Sequence, residues 1–468
     1  MTTIDKTPGS ADRMEDPEDP GSILWWDDYA KADRHPVADY LFESGEPANP
    51  IGELSVDVRE YLSPEHHARE VAGLWTKAWQ IACRANDIPT AGDYIEYEIV
   101  GYSILIVRDA AGAVRAFHNA CRHRATAVAT GTGNAACFVC PFHGWTYGLD
   151  GSLDKLPAAW DFPHVDQATH GLRPVQADVF DGWVFVNLDP TAPPLLDFLG
   201  ERVAGHLLRN PTERMWKAFH IGKVVHSNWK IVSEAFMETY HVSRTHPTSL
   251  PFAGDFRSRY DIFGLHLRLA APIGVPMVGG QYTEQEILDA AIGYLAALRG
   301  IEEELEYPEL PAGLTARQFL ADGARQQLGA LGIDLSGCSD TEIVDVIVYA
   351  LFPNVHITPN PISGSLLRVR PNGNDPASCI MESMVLRPVA AGQEMPKDAP
   401  LQLIGPDQRF SDFPELGANG FIIEQDESNC ALIQKGLPGL ERMVFGQKQE
   451  SNIVAFHRNL DAFIQAHA

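Results

Sequence analysis

Two short segments of this chain each carry one cysteine and one histidine. They read Cys121-Arg122-His123 and Cys140-Pro141-Phe142-His143, and sixteen residues separate them. Thiolates and imidazoles at such short spacing indicate a metal site. Zinc fingers usually keep the two cysteines together and the two histidines together, whereas each segment here mixes the two types. A [2Fe–2S] cluster with two thiolates on one iron and two imidazoles on the other needs one ligand of each type from each segment, so the pattern favours that cluster over zinc.

The flanks of both segments resemble the cluster-binding loops of the Rieske ferredoxin family. The matching stretches are Asn119-Ala120-Cys121-Arg122-His123-Arg124 and Cys140-Pro141-Phe142-His143-Gly144-Trp145-Thr146-Tyr147. Ala125 departs from the family, which commonly has glycine there. The resemblance implies that Cys121, His123, Cys140 and His143 hold a Rieske-type [2Fe–2S] cluster. Ordinary core packing of these four residues and a zinc site are the competing interpretations.

A second pair of histidines, His241 and His246, lies further along the chain. Residues five positions apart point about 140° apart around an ideal helix, which turns about 100° per residue. The two side chains can therefore share a metal only if the helix ends or bulges between them. Pro247 disfavours helical geometry at His246 and so favours such a break. Taken alone, the pair is equally compatible with two ordinary histidines.

The stretch from Asn228-Trp229-Lys230 to His246 resembles the iron-binding motif of Rieske non-haem iron oxygenase α-subunits, the aromatic-ring-hydroxylating dioxygenase family. In that family two histidines and one carboxylate hold a mononuclear Fe(II) and leave positions open for O2. The segment 421–437 resembles the family's closing motif, which implies that Asp426 is the carboxylate ligand. Glu424 and Glu427 are the competing candidates.

Glu238 lies three residues before His241, where the resemblance implies a carboxylate that joins this histidine to the cluster histidine of a neighbouring subunit. The family usually has aspartate at this position. A carboxylate between two imidazoles can accept hydrogen bonds from both and fix their orientation. The competing interpretation is an ordinary solvated acid on a helix.

The resemblance implies a terminal oxygenase that binds O2 and a small apolar organic substrate, with Glu238, His241, His246 and Asp426 at the catalytic centre. A separate ferredoxin and/or NAD(P)H-dependent reductase would supply electrons, since the chain has no flavin or dinucleotide motif. The reaction would be cis-dihydroxylation or monooxygenation of an aromatic compound, in aromatic hydrocarbon catabolism. The apolar pocket candidates are Phe236, Val242, Phe352 and Val355. A monooxygenase or demethylase acting on a non-aromatic or amine substrate remains an alternative, as does an electron-transfer protein without turnover. The resemblance also implies a homotrimer, with a separate β-subunit left open.

The predicted fold class is α+β, with a small antiparallel β domain for the cluster and a larger domain of helices over an antiparallel sheet, of the helix-grip, START-like type. Residues 1–47 form an acidic segment, disordered over its first twenty residues, and 48–77 form an N-terminal helical region that packs on the catalytic domain. The helix itself is predicted from about Pro64 to Trp79, slightly past the end of that region. The Rieske domain is predicted at 78–195. The catalytic domain is predicted at 196–468, with a helical insertion at 280–350 over the pocket.

Composition excludes several other classes of protein. With 36 Lys and Arg against 62 Asp and Glu, the net charge is −26, and such a field repels a nucleic-acid backbone. No apolar run approaches the roughly 20 residues of a membrane helix, and the N-terminus has no apolar signal core. Seven unevenly spaced cysteines do not indicate a disulfide framework. A cytoplasmic protein without a membrane or nucleic-acid partner is therefore predicted.

Overall fold

The computed structural model describes residues 23–45, 54–297, 307–405, 407–416 and 418–467. The first twenty residues, predicted to be disordered, lie outside these ranges. No helix within them is long and apolar enough to span a bilayer.

Twenty strands are distributed over four sheets within the described ranges. In chain order they are β1 Ser55–Asp57, β2 Gln80–Arg84, β3 Asp93–Ile99, β4 Tyr102–Arg108, β5 Val114–His118, β6 Thr132–Asn134, β7 Phe138–Val139, β8 Thr146–Tyr147, β9 Leu153–Lys155, β10 Pro174–Phe180, β11 Trp183–Asn187, β12 Met215–Val225, β13 Arg259–Phe263, β14 His266–Ala271, β15 Val346–Leu351, β16 Val355–Thr358, β17 Ser365–Asn372, β18 Asp375–Pro388, β19 Gln402–Ile404 and β20 Arg442–Val444. The α-helices are α1 Trp26–Lys31, α2 Asp39–Phe42, α3 Arg59–Leu62, α4 Pro64–Glu70, α5 Leu195–Leu199, α6 Glu201–Leu207, α7 Trp229–Glu234, α8 Val242–Thr245, α9 Glu284–Ala297, α10 Ala316–Ala330, α11 Asp340–Val344, α12 Ala418–Gly436 and α13 Ser451–His467.

The first part of the chain forms an antiparallel β structure that positions the two Cys/His segments. Its larger sheet has the strand order β2-β11-β10-β5-β4-β3-β6, and β7, β8 and β9 form a second, three-stranded sheet. The first Cys/His segment follows β5, and the second connects β7 to β8. Both segments are therefore loops held at their ends by short strands.

The second part of the chain is built on an eight-stranded sheet of order β13-β14-β15-β16-β17-β18-β12-β19. Its pairs are antiparallel except β12 with β19. Side chains alternate between the faces of a strand, so Val355 and Ile357 of β16 join one hydrophobic core while His356 and Thr358 lie on the other face. Helices α7 and α13 contact this sheet. Mixed helix and antiparallel sheet confirm the predicted α+β class.

The N-terminal region packs on the same body. The indole of Trp26 is fully buried and donates from Nε1 to Oδ2 of Asp345 over 2.9 Å. Ser63 caps α4 by accepting from the backbone N–H of His66, as Ser63-Pro64 predicts. The helix in the structure is shorter than the predicted helix from Pro64 to Trp79. Helix α4 ends at Glu70 and is followed by a π-helical turn that ends at Trp75. The Trp75 ring meets Trp229 edge-on at 4.9 Å.

The last part of the predicted helical insertion at 280–350 is wrong. Within residues 340–350 only Asp340–Val344 is helical, and Val346–Leu351 forms β15. This run is rich in β-branched and aromatic residues, which favour extended backbone. Its backbone pairs with β14 on one side and β16 on the other, so it belongs to the central sheet rather than to a helical insertion.

Candidate metal centres and the adjoining cavity

The two Cys/His loops have matching turns. The backbone N–H of Ala125 donates to the carbonyl of Cys121 over 2.9 Å, and that of Gly144 donates to the carbonyl of Cys140 over 3.0 Å. Each turn places its cysteine inside the protein, since both cysteines are 3% exposed. The Tyr147 hydroxyl lies 3.2 Å from Sγ of Cys121 and accepts from a backbone N–H of the same loop.

The two histidines of these loops lie together at the outer side. Their ring centroids are 4.7 Å apart, and His123 stacks on Trp145 at 5.4 Å. His143 is exposed, whereas His123 is partly covered. Two buried thiols and two imidazoles nearer the surface are the donor set that a [2Fe–2S] cluster with two thiolates on one iron and two imidazoles on the other would require. The structure thus brings together all four residues predicted from the sequence.

Ala125 has a strained backbone. Its φ is +61°, in the left-handed region, where an L-residue with a Cβ is disfavoured and glycine is not. This observation gives a physical reason for the glycine that the family commonly has at this position. The loop of this chain adopts the same type of turn at some cost in free energy.

The second site forms where a broken helix meets α12. Helix α7 ends at Glu234, His241 begins the short helix α8, and His246 follows that helix with φ −119° and ψ 59°. The predicted break next to Pro247 is therefore present. Nε2 of His241 lies 3.5 Å and Nε2 of His246 lies 3.1 Å from Oδ1 of Asp426.

The ligand atoms of these three residues all lie within 4.8 Å of one another, a geometry that could hold one metal ion. Two imidazoles and a carboxylate are the donor set of non-haem Fe(II) centres that keep positions open. We refer to His241, His246 and Asp426 as the triad.

Two further side chains orient the imidazoles of the triad. Oε1 of Glu238 lies 2.6 Å from Nδ1 of His241, and Oε2 accepts the backbone N–H of the same residue over 3.1 Å. Nδ1 of His246 lies 2.9 Å from Oε1 of Gln425. In each pair Nδ1–H donates a hydrogen bond to the oxygen, so Nε2 is left unprotonated and free to face a metal.

Gln425 had not been predicted. Its place beside Asp426 is the signal that could have pointed to it.

Burial alone lowers the pKa of His241, but the hydrogen bond from its ring to Glu238 and the charges of Glu238 and Asp426 outweigh burial and raise that pKa.

The two competing carboxylates of α12 have other partners. Glu424 accepts from the hydroxyl of Ser411, and Glu427 pairs with Lys223 at 2.8 Å. Positions 424 and 427 point about 200° and 100° away from 426 on an ideal helix. Only Asp426 of the three approaches the histidines, in agreement with its choice as the predicted ligand.

A cavity of about 1130 Å³ adjoins the triad. Phe236 and Val242 line it, as predicted, but the predicted lining residues Phe352 and Val355 belong to hydrophobic cores instead. The alternation along β16 explains this error for Val355, because it turns His356 and not its neighbour towards the cavity.

Two family models match the chain. The Rieske [2Fe-2S] domain matches residues 78–166, and the ring hydroxylating alpha subunit (catalytic domain) matches residues 208–466, more than half of the chain. Choline monooxygenase, chloroplastic, of Atriplex hortensis is 33% identical over 194 residues, which cover 40% of this chain and 44% of that protein. The matches span about half the length of such curated relatives.

Solved structures share the fold. The quaternary ammonium Rieske monooxygenase CntA in complex with L-carnitine has a TM-score of 0.62 at 18% identity, covering 91% of this chain and 100% of its own. Naphthalene 1,2-dioxygenase from Rhodococcus sp. has a TM-score of 0.59 at 20% identity, covering 88% of this chain and 95% of its own.

The chain therefore belongs to the ring-hydroxylating α-subunit family of Rieske oxygenases, with a Rieske [2Fe-2S] domain ahead of the catalytic domain. The family prediction is confirmed. The predicted pair of cofactors, a [2Fe–2S] cluster and a mononuclear iron, is confirmed at the level of these two domains. The predicted domain limits and the individual ligands remain predictions.

Proposed function

We propose that this protein is a terminal oxygenase whose ligands are those predicted from the sequence. Cys121, His123, Cys140 and His143 hold the cluster, and the triad holds Fe(II). The observation that carries the proposal is the triad itself, whose ligand atoms lie within 4.8 Å at the wall of a large cavity. The iron, when bound, supplies O2 activation with electrons that a separate reductase, directly or through a ferredoxin, delivers to the cluster.

The residues around the triad have defined tasks in this proposal. Glu238 and Gln425 accept hydrogen bonds from the two Nδ1–H groups and fix the imidazole planes, so that Nε2 of both rings faces Asp426. Three protein ligands leave coordination positions for O2. Phe236 and Val242 exclude water on the cavity side and position an apolar substrate next to these open positions.

The substrate that we favour is apolar and aromatic, with cis-dihydroxylation or monooxygenation as the reaction. Apolar side chains predominate in the cavity wall. The relatives support two reaction classes, because choline monooxygenase and anthranilate 1,2-dioxygenase both match this chain. Monooxygenation of an amine is thus the second candidate reaction. It is favoured by the similarity of this chain to choline, glycine betaine and carnitine monooxygenases.

We also propose a head-to-tail homotrimer in which Glu238 faces the cluster histidines of the next subunit. Three observations support this arrangement. Glu238 already binds His241, His143 is exposed at the cluster, and the neighbouring side chains Phe142 and Trp160 are 52% and 84% exposed. A heterologous interface closes without free ends in a three-fold ring. A separate β-subunit, a role in aromatic hydrocarbon catabolism and the cytoplasmic location remain predictions.

Oxygen uptake tests the proposal. The purified protein is combined with a compatible ferredoxin, reductase and NADH, and a panel of aromatic, amine and terpenoid compounds is screened for products by mass spectrometry with isotopically labelled O2. The expected result is NADH-coupled O2 uptake and label in a product. Reversible reduction of the cluster without substrate-dependent uptake for any compound would favour an electron carrier.

A further inference from the structure

The cavity beside the triad is charge-poor away from the metal site. In the ranges that the structure describes, no lysine or arginine lines the cavity, so no cationic side chain of this kind is available to bind a carboxylate of a substrate. Its acids are Glu238, Asp426 and Asp255. The first two serve the triad. Oδ1 of Asp255 accepts the backbone N–H of Val278 over 3.3 Å, and its Oδ2 is buried from solvent without a hydrogen-bond partner among the described residues. Neither an anionic nor a cationic group of a substrate would find a free counter-charge among these residues.

His356 adds no charge either. Burial lowers its pKa to about 3, so the imidazole is neutral, and its Nε2 lies 3.4 Å from the hydroxyl of Ser233. Phe236 packs against its ring at a centroid distance of 5.8 Å. The side chain of His356 therefore forms a neutral part of the cavity wall on the side of the sheet.

The serine and threonine hydroxyl groups of the cavity fall into two sets, and the phenol of Tyr294 lies apart from both, on α9. Near the triad they are satisfied by the protein, since Thr239 donates to the carbonyl of Asp255 over 2.6 Å and Ser249 donates to that of His246 over 2.8 Å. On the sheet, Thr358, Ser365 and Ser383 also line the cavity, but their hydroxyls make no hydrogen bond within the described chain. We call these three residues the hydroxyl patch.

Strand register brings the hydroxyl patch together. Thr358 of β16 is directly paired with Ser365 of β17. Ser365 pairs with Val385 of β18, so Ser383, two residues away, is its diagonal neighbour on the same face. Directly paired residues have Cβ atoms about 5 Å apart, and diagonal neighbours lie about 7–8 Å apart. One polar group of a ligand can therefore reach two of these hydroxyls.

Filling this cavity with a wholly apolar molecule would strip water from the hydroxyl patch. An unpaired buried hydroxyl costs about 1–3 kcal/mol, so a ligand with an oxygen opposite the patch is favoured over its hydrocarbon analogue. The volume also exceeds the roughly 300–1,000 Å³ usual for small-molecule sites. The cavity reaches from the triad to α9 and α10, which suits an extended skeleton.

We infer that the substrate is a neutral, polycyclic molecule bearing a hydroxyl or carbonyl group, and that the hydroxyl patch binds this group while the skeleton extends towards the triad. Ser365 is the central residue, because it neighbours both of the others. The inference rests on the proposed function. It keeps an apolar skeleton, extends it to polycyclic rings whether aromatic or saturated, and adds one neutral polar group. It places aromatic carboxylates outside the substrate class and ranks quaternary amines below neutral alcohols, because no solvent-accessible carboxylate of the described chain faces the cavity away from the triad.

Equilibrium dialysis of the iron-loaded protein tests the inference without turnover. The probes are radiolabelled androstanol, its parent hydrocarbon androstane, choline and anthranilate, under anaerobic conditions and without reductase. Androstanol is expected to bind at least about tenfold more tightly than either charged probe. Ser365→Ala should weaken androstanol binding about five- to tenfold and change androstane binding less than about twofold, because only the alcohol loses a hydrogen bond. Ser336→Ala, at an exposed serine outside the cavity, is the matched control and should change neither.

Three results would overturn the inference: tighter binding of choline or anthranilate, an equal effect of Ser365→Ala on both androstane probes, or no androstanol binding up to its solubility limit. Thr358→Val provides a second test if Ser365→Ala does not fold, with the same pattern expected. The proposed function can fail separately. Selective androstanol binding without O2 uptake would contradict only the oxygenase, whereas uptake with an amine substrate would contradict only the substrate class.

Discussion

The four proposed cluster ligands come from two neighbouring loops, whereas the triad joins residues that are remote in sequence. In the cluster region, each loop closes on itself through a backbone hydrogen bond back to its cysteine. In the triad region, His246 lies after α8 and its ring is hydrogen-bonded to Gln425 of α12, which is 179 positions later in the chain. The cluster site can therefore form as soon as one small β domain folds. The triad requires the complete catalytic sheet and the helices that cover it.

The surroundings differ as well. The cluster loops present their histidines at the surface, where a partner protein can approach them. The triad is more enclosed. Buried Glu238 and half-buried Gln425 fix its imidazoles, and a large cavity adjoins it. Electron entry needs a surface, whereas oxygen chemistry benefits from exclusion of water. The two regions are thus suited to different tasks, and variants that affect one should leave the other intact.

The largest effect is expected from Cys140→Ser. Loss of a thiolate ligand should abolish the cluster and its visible absorption, and product formation with it, while mononuclear iron is retained. Metal analysis with electron paramagnetic resonance measures both. A normal Rieske signal in this variant would show that Cys140 is not a ligand.

The reciprocal variant is Asp426→Ala. Removal of the only α12 carboxylate that approaches the histidines should eliminate mononuclear iron and product, with the cluster spectrum unchanged. Glu424→Ala and Glu427→Ala are the matched controls, because their side chains bind Ser411 and Lys223. If either control loses the mononuclear iron while Asp426→Ala keeps it, the assignment is wrong.

Glu238→Gln tests whether the two regions communicate through this residue. The amide keeps the size and one acceptor oxygen but removes the negative charge next to His241. Both iron sites and the trimer should persist, and cluster reoxidation should slow about 10- to 100-fold in single-turnover stopped-flow with O2 and substrate. Glu424→Gln is the matched control and should react at the normal rate. A fully active monomer, or an unchanged rate in Glu238→Gln, would leave Glu238 without the proposed role.

A buried ionic network around His457 should make stability depend on pH. Nε2 of His457 lies 2.7 Å from Glu234, and Nδ1 lies 3.3 Å from Glu60. Burial lowers the pKa of His457, but hydrogen bonds to these carboxylates raise it to about 9. Because the folded pKa exceeds the unfolded value of about 6.5, this stabilisation is fully present below pH 6.5 and is lost as pH rises to 9. It amounts to at most about 3 kcal/mol.

Urea denaturation between pH 6.5 and 9 measures this loss. The transition of the catalytic domain should move to lower urea as pH rises, and His457→Asn should flatten that dependence. If His457→Asn has the same pH dependence of unfolding as the unmodified protein, titratable groups other than His457 cause that dependence.

The smallest effect concerns the strained turn of the first cluster loop. Ala125→Gly relieves the positive φ and should stabilise the Rieske domain by about 0.5–1 kcal/mol. Bleaching of the visible absorption in denaturant measures it. Ala129→Gly, in the same segment but without a positive φ, should have the opposite sign. Destabilisation by Ala125→Gly would mean that the alanine methyl group makes contacts that outweigh the strain.

The sequence by itself determined the parts of the molecule whose information is local. Mixed Cys/His loops, the Ser63 cap and the helix break before Pro247 depend on residues within a few positions of one another. The resemblance to the family also identified Asp426, which is remote in sequence from the two histidines. Neither approach predicted Gln425, because a side chain that supports a ligand has no spacing rule of its own.

Only the tertiary structure decided which residues face the cavity and which segments join the sheet. Val346–Leu351 reads as an apolar run compatible with a helix, and it became β15 because β14 and β16 offer backbone partners on both sides. Val355 was expected at the pocket and lies in a core, since strand alternation and register fix the exposed face. The hydroxyl patch has the same origin, because Thr358, Ser365 and Ser383 become neighbours only through strand pairing.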